Sequence, residues 1–178
     1  MADSAITTTR IGVAIDVPEP WGAELTRARA DAGDPQGRYV PAHVTLLGPT
    51  EVDTELLPAV EKHLEAVASA QSPFTIHLRG TGTFRPITEV VFVTLAVGIS
   101  ECELLAEAIA AGEGVHRTSK FPYHPHVTVA QDVAPPALDK VFDDLSGFSA
   151  RFPVTAFTLF SHGGEGPWRP RRDFPLGG

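Results

Sequence analysis

The sequence predicts an α+β protein in which one structural unit occurs twice. The pattern of apolar residues gives the order β-α-β-α-β over the first half of the chain and again over the second half. Val13 and Val93 occupy equivalent places 80 residues apart, and the middle strand of each half carries the tripeptide His-Val-Thr. We therefore expect a single domain over residues 1–178, with two pseudo-symmetric lobes and a central groove between them.

The first lobe is expected at about residues 11–84. Three segments have the apolar pattern of strands: Ile11–Val17, Val40–Leu47 and Phe74–Leu78. Trp21–Ala32 has helical spacing between the first two strands. A second helix should follow Asp53, whose side chain can cap its amino end.

The second lobe is expected at about residues 89–160. Its predicted strands are Val90–Val97, His124–Gln131 and Phe152–Phe160. One helix should begin at the capping box Ser100–Glu103, and another at Pro135 and Pro136. Residues 161–178 read as a tail with a solvated basic run, Arg169–Arg172, although Phe174–Leu176 could dock on a sheet.

Composition excludes several classes of protein. The longest largely apolar run, Val90–Ile99, has ten residues, whereas a bilayer span needs about 20. The polar amino terminus does not resemble a secretory signal. A single cysteine, Cys102, excludes an internal disulfide and a cysteine-based zinc site, so we expect a reducing, cytoplasmic location. A net charge of −8 argues against binding to a long nucleic acid duplex.

The two His-Val-Thr tripeptides carry the predicted chemistry. Side chains at positions i and i+2 of a strand share one face, so His43 lies beside Thr45, and His126 lies beside Thr128. If the lobes pack with approximate two-fold symmetry, two imidazoles and two hydroxyls surround one centre. Such a centre suits a phosphoryl group, because the hydroxyls can donate to its oxygens while one imidazole acts as base and the other as acid. This chemistry requires no metal or other cofactor.

The paired motif within a duplicated α+β chain resembles the two-histidine (2H) phosphoesterase superfamily, in particular its 2′-5′ RNA ligase-like and cyclic phosphodiesterase branch. Three flanking segments are also similar to that family: Arg38–Ala42, Leu46–Gly48 and Gly80–Phe84. The resemblance extends from about Ile11 to Phe160. It implies a bilobal fold with mostly antiparallel sheets, and cleavage of a 2′,3′-cyclic phosphate or formation or cleavage of a 2′-5′ bond.

The resemblance also implies roles for the motif residues. His126 would act as the base and His43 as the acid, while Thr45 and Thr128 would hold the non-bridging oxygens. The family often has a more basic groove than this acidic chain offers, so we expect nucleotides or short RNA ends as substrates.

Several residues near the motifs are candidates for substrate binding. Aromatic rings that could stack on a base are Tyr39, Phe84, Phe121, Tyr123 and Trp168. Basic residues near the predicted groove are Arg38, Arg85, Arg117 and Lys120.

Two other functions remain open at this point. The groove could bind a nucleotide or RNA end without turnover, or His43, His124 and His126 could hold a metal ion in a metallohydrolase. The sequence predicts no particular oligomeric state.

Overall fold

The computed structural model describes residues 5–116, 119 and 121–177, which form two four-stranded sheets and four α-helices. The strands are β1 (Thr8–Asp16), β2 (His43–Asp53), β3 (Phe74–Thr83), β4 (Val90–Val97), β5 (His126–Gln131), β6 (Ser149–Val154), β7 (Ala156–His162) and β8 (Arg169–Pro175). The helices are α1 (Trp21–Asp31), α2 (Leu57–Ala70), α3 (Ile99–Ala110) and α4 (Pro135–Asp144), with 3-10 turns at Pro35–Arg38 and Thr54–Leu56. Every strand pairing is antiparallel, which confirms the predicted α+β class.

The two repeats exchange their third strands. The first sheet has the order β2-β1-β7-β8 and the second has the order β5-β4-β3-β6. Strand β3 of the first repeat therefore pairs with β4 of the second, and β7 of the second repeat pairs with β1 of the first. A short connection joins β3 to β4, which favours an antiparallel hairpin. The sheets consequently do not coincide with the continuous segments 11–84 and 89–160 expected as lobes.

The carboxyl-terminal part of the chain differs from its prediction in two ways. The single strand expected at Phe152–Phe160 is two strands that divide at Thr155, because β6 pairs with β3 in one sheet and β7 pairs with β1 in the other. The basic run Arg169–Arg172 forms part of edge strand β8 and is not a free tail, although its side chains are exposed. Phe174 is buried against the sheet, so the expected docking of this segment is confirmed.

Both predicted side-chain caps are wrong. Asp53 makes no capping hydrogen bond, since a 3-10 turn separates it from α2, which has Pro58 in its first turn. Helix α3 begins at Ile99, directly after Gly98, whose φ of 98° lets the chain turn from β4 into the helix. Ser100 therefore lies inside the helix, where it cannot act as the cap.

Within the described residues, the structure has no helix that is both long and apolar enough to span a membrane. The lone Cys102 is fully buried in α3, and this burial raises the pKa of its thiol to about 12. The thiol therefore stays protonated and packs as a small apolar side chain.

Candidate active site

The two His-x-Thr motifs lie on the edge strands β2 and β5, which contact each other across the two sheets. His43, Thr45, His126 and Thr128 are all half-buried. The alternate residues of the same strands are buried in the core: Val44, Leu46, Val127 and Val129. The predicted alternation is therefore confirmed, and it leaves both histidine–threonine pairs on the groove side of their strands.

Each motif histidine is anchored in the same way by the carbonyl two residues before it. His43 Nδ1 lies 2.7 Å from the Pro41 carbonyl oxygen, and His126 Nδ1 lies 2.6 Å from the His124 carbonyl oxygen. A carbonyl oxygen can only accept a hydrogen bond, so Nδ1 must carry the proton in both rings. In the neutral ring Nε2 then keeps its lone pair and is the nitrogen available for proton exchange.

Both motif histidines have lowered pKa values. The pKa of His126 is lowered to about 4, mainly by burial, with smaller contributions from the charges of His124 and His43. Burial also lowers the pKa of His43, and the nearby Arg29 charge adds to this effect. The bonds to the backbone carbonyls act in the opposite direction. Both rings are therefore neutral at pH 7 in the free protein.

The groove between the motifs has two arms that share Thr45 and the Leu47–Pro49 segment. The polar arm, a cavity of about 560 Å³, is lined by His43, Thr45 and Thr128 together with Arg29, Asp34, Gln131 and Trp168. The aromatic arm, a cavity of about 730 Å³, is lined by Thr45 and His126 together with Phe84, Ile87, Phe121 and Tyr123. A group bound at Thr45 can therefore extend into either arm.

Three of the predicted substrate-binding residues line the aromatic arm. The ring of Phe84 packs edge-on against His126, with 5.1 Å between the ring centroids. Phe121 is exposed at the mouth of this arm. Tyr123 donates a hydrogen bond from its hydroxyl to the Thr45 carbonyl oxygen at 2.7 Å, and so connects the segment before β5 to β2.

Other sequence candidates lie elsewhere. Neither Tyr39, which is exposed, nor Arg85 lines either arm; Arg85 forms an ion pair with Asp139 at 2.8 Å. Arg38 also lies outside the two arms. Trp168 does line the polar arm, where its ring packs over Gly12 of β1. Arg117 and Lys120 lie outside the described residues.

The histidines proposed as alternative metal ligands do not form a ligand cluster. The rings of His124 and His126 are 5.6 Å apart between centroids. Across the part of the chain that the structure describes, no three histidine, cysteine or acidic side chains come together in a way that could hold a metal ion.

Sequence reasoning missed Arg29 and Asp34, which form a buried ion pair at 2.8 Å in the wall of the polar arm. A signal for Arg29 was present, because it follows Leu25 by four residues and so lies on the buried face of α1. Asp34 lies in a loop after α1 and had no comparable signal.

The fold is duplicated and antiparallel, and each of two facing edge strands carries a histidine–threonine pair. This is the architecture of a two-histidine phosphoesterase. The family model described as the 2′-5′ RNA ligase superfamily matches residues 17–166. The chain belongs to this superfamily, which confirms the family expected from the sequence.

Relatives and solved structures agree with this assignment. A protein of Bacillus thuringiensis (strain Al Hakam), provisionally named a phosphoesterase, is 28% identical over 146 residues that cover 81% of this chain and 84% of the relative. The crystal structure of TT0787 of Thermus thermophilus is 26% identical, with a TM-score of 0.68 over 94% of this chain and 97% of that one. Escherichia coli LigT complexed with 3′-AMP is 27% identical, with a TM-score of 0.63 over 96% and 99% of the two chains.

Proposed function

We propose that this protein is a metal-independent phosphodiesterase that acts on 2′,3′-cyclic phosphates or 2′-5′-linked ribose phosphodiesters of nucleotides or short RNA ends. The observation that carries the proposal is the matched pair of half-buried histidines, each with Nδ1 bonded to a backbone carbonyl and Nε2 available for proton transfer. Two such imidazoles provide one base and one acid for the same phosphoryl group.

Hydrolysis of a cyclic phosphate requires two proton transfers. His126 Nε2 takes a proton from water as the water oxygen bonds to phosphorus, and His43 Nε2 gives a proton to the ribose oxygen as its bond to phosphorus breaks. The hydroxyls of Thr45 and Thr128 donate hydrogen bonds to the non-bridging oxygens and stabilise the charge that develops there. In the ligation direction a ribose hydroxyl replaces water.

The protonation states follow from the environment of the site. The reaction needs one neutral and one protonated ring, whereas burial lowers the pKa of both histidines in the free protein. A phosphate anion bound between the rings favours their protonated forms and raises both pKa values. Binding of the anionic substrate therefore stabilises the protonated form of the acid, which takes its proton from solvent.

The choice of substrate class rests on the groove and on the relatives. LigT has been crystallised with 3′-AMP, and the aromatic arm offers Phe84 and Phe121 as surfaces on which a base can stack. The net charge of −8 favours small substrates over long RNA.

A cytoplasmic location is proposed from the single buried cysteine.

The direct test incubates the protein with 2′,3′-cyclic nucleotides and with 2′-5′-linked dinucleotides in excess chelator, with 3′-5′-linked dinucleotides as the control. The proposal predicts turnover of a cyclic phosphate or a 2′-5′ bond that chelator does not reduce. Binding without turnover would instead identify a nucleotide-binding module. Turnover that chelator abolishes would identify a metallohydrolase and overturn the proton-transfer roles of both histidines.

The roles of the two histidines can be separated with an aryl phosphodiester substrate. An aryl oxide leaves without a proton, so the variant that lacks the acid should regain activity on this substrate relative to a ribose ester. We expect this recovery for His43→Ala and not for His126→Ala. Recovery in His126→Ala alone would reverse the assignment.

A further inference from the structure

Arg29 is a charged side chain buried in the wall of the polar arm. It lies on α1, the residue is only 8% exposed, and its charge acts on the nearby His43. Its Nε donates a hydrogen bond to Asp34 Oδ2 at 2.8 Å. Burying an arginine is costly unless its charge is compensated, and Asp34 provides that compensation here.

Asp34 holds the guanidinium in a fixed position. Besides the bond from Arg29, its Oδ2 accepts a hydrogen bond from the backbone nitrogen of Gln131 at 3.0 Å, and its Oδ1 accepts one from the backbone nitrogen of Gln36 at 2.9 Å. The carboxylate is therefore bonded to α1, to the following turn and to the end of β5. Because Gln131 is three residues beyond Thr128, the ion pair is fixed to the strand that carries the second motif.

The outer nitrogens of Arg29 remain available to a ligand. Only Nε of Arg29 bonds to the carboxylate, and no acceptor among the described residues engages Nη1 or Nη2. In the same described part of the chain, no buried side-chain nitrogen or oxygen lacks a partner. Nη1 and Nη2 must therefore reach the open space of the polar arm, which the residue lines.

Most of the charged side chains that line the polar arm are negative, and Arg29 offsets part of their charge. Three carboxylates line this arm, those of Asp16, Asp34 and Asp132, and Arg29 is the one lysine or arginine among its described lining residues. Because those carboxylates repel an anionic phosphoryl group, Arg29 is the described lining side chain whose charge can attract one. A guanidinium with two free nitrogens matches phosphate oxygens in geometry and charge.

We propose that Arg29 is a substrate-binding residue whose Nη1 and Nη2 bind non-bridging oxygens of the reacting phosphoryl group beside His43. Asp34 acts as the positioning residue that holds the guanidinium. This inference rests on the proposed function, because it assigns a third contact to the same phosphoryl group.

The first test measures binding of inorganic phosphate to the full chain by titration calorimetry. Arg29→Gln should weaken binding about ten- to hundredfold, as expected for loss of hydrogen bonds to a charged group. Arg29→Lys, which keeps the charge but loses the planar fork, should bind less tightly than the wild type and more tightly than Arg29→Gln. Arg10→Gln, which alters an exposed pair with Glu51, is the matched control and should bind like the wild type.

Unchanged phosphate binding in Arg29→Gln would overturn the inference. If that variant does not fold, Arg29→Lys decides the question: weaker binding than the wild type supports the assignment, and equal binding refutes it. Thermal unfolding of each variant shows whether Arg29→Gln is folded or whether Arg29→Lys must be used instead.

The second test identifies which phosphate Arg29 contacts. Activity of Arg29→Gln on a 2′,3′-cyclic nucleotide should fall by the same factor whether or not the nucleotide carries a 5′-phosphate. A loss confined to the 5′-phosphorylated substrate would overturn the assignment to the reacting phosphate.

Failure of this inference can be distinguished from failure of the proposed function. If the wild type turns over no cyclic nucleotide but its phosphate binding depends on Arg29, the proposed function fails and the anion site stands. If turnover and phosphate binding both persist in Arg29→Gln, the function stands and the role of Arg29 fails.

Discussion

The lowered pKa of His126 makes the stability of the fold depend on pH, and replacing this residue should remove its share of that dependence. In the unfolded chain an imidazole has a pKa of about 6.5, whereas burial lowers the pKa of His126 to about 4. As the pH falls below about 6.5 the unfolded chain binds a proton that the folded protein resists. The stability that the folded protein has with a neutral His126 is therefore fully present above about pH 6.5. It is lost progressively as the pH falls towards 4.

The size of this effect follows from the two pKa values. A difference of about 2.5 pH units corresponds to about 3 kcal/mol once the pH lies below both values, and to about 2 kcal/mol at pH 5. His126→Gln keeps a donor for the His124 carbonyl but does not titrate. Between pH 8 and pH 5 the free energy of unfolding of the wild type should fall by about 2 kcal/mol more than that of the variant.

Urea unfolding at several pH values between 8 and 5 provides the assay. Leu138→Ala is the control, since it removes part of a fully buried side chain and should lower the free energy of unfolding by about 2–5 kcal/mol at every pH. A difference between the wild type and His126→Gln that stays constant from pH 8 to pH 5 would refute the reasoning.

Three further outcomes are expected. The profile of kcat/KM against pH should be a bell whose two limbs lie below about pH 6.5, because burial lowers the pKa of both histidines. A value of kcat/KM that persists undiminished above pH 8 would contradict this. Gly82→Ala should lower stability by about 1–3 kcal/mol and impair turnover, because its Cβ would lie 2.7 Å from the ring of Phe92, which packs against His126; unfolding and rate measurements on this variant check both effects. Tyr123→Phe should cost about 1 kcal/mol in urea unfolding, since it removes the bond to the Thr45 carbonyl, and an unchanged midpoint would count against that contact.

The sequence predicted most of the features that depend on local periodicity. Alternation along β2 and β5 placed the motif residues on one face, and the repeat of that pattern predicted the groove between them. The exchange of β3 and β7 between sheets could not be predicted in this way. Strand pairing depends on contacts between segments distant in the chain, and apolar periodicity does not specify the partner.

The same limit explains the residues that were missed or misplaced. Asp34 acquires its role from a backbone nitrogen 97 positions away, at Gln131, and no local pattern signals such a contact. Arg85 was placed near the groove by its sequence position, but an ion pair with Asp139 of α4 holds it elsewhere. The basic Arg169–Arg172 run was predicted to be a solvated tail; its side chains are exposed, but its backbone pairs with β7.

The central claim, that two histidines act together on one phosphoryl group, is tested most directly by alanine variants. The measurement is the turnover of a 2′,3′-cyclic nucleotide in excess chelator by the wild type, His43→Ala and His126→Ala, with circular dichroism to confirm that each variant is folded. Loss of a general acid or base reduces a rate by about 10²–10⁴-fold, so each folded variant should lose activity by a factor in that range. Near-wild-type turnover in either folded variant would contradict the two-histidine mechanism.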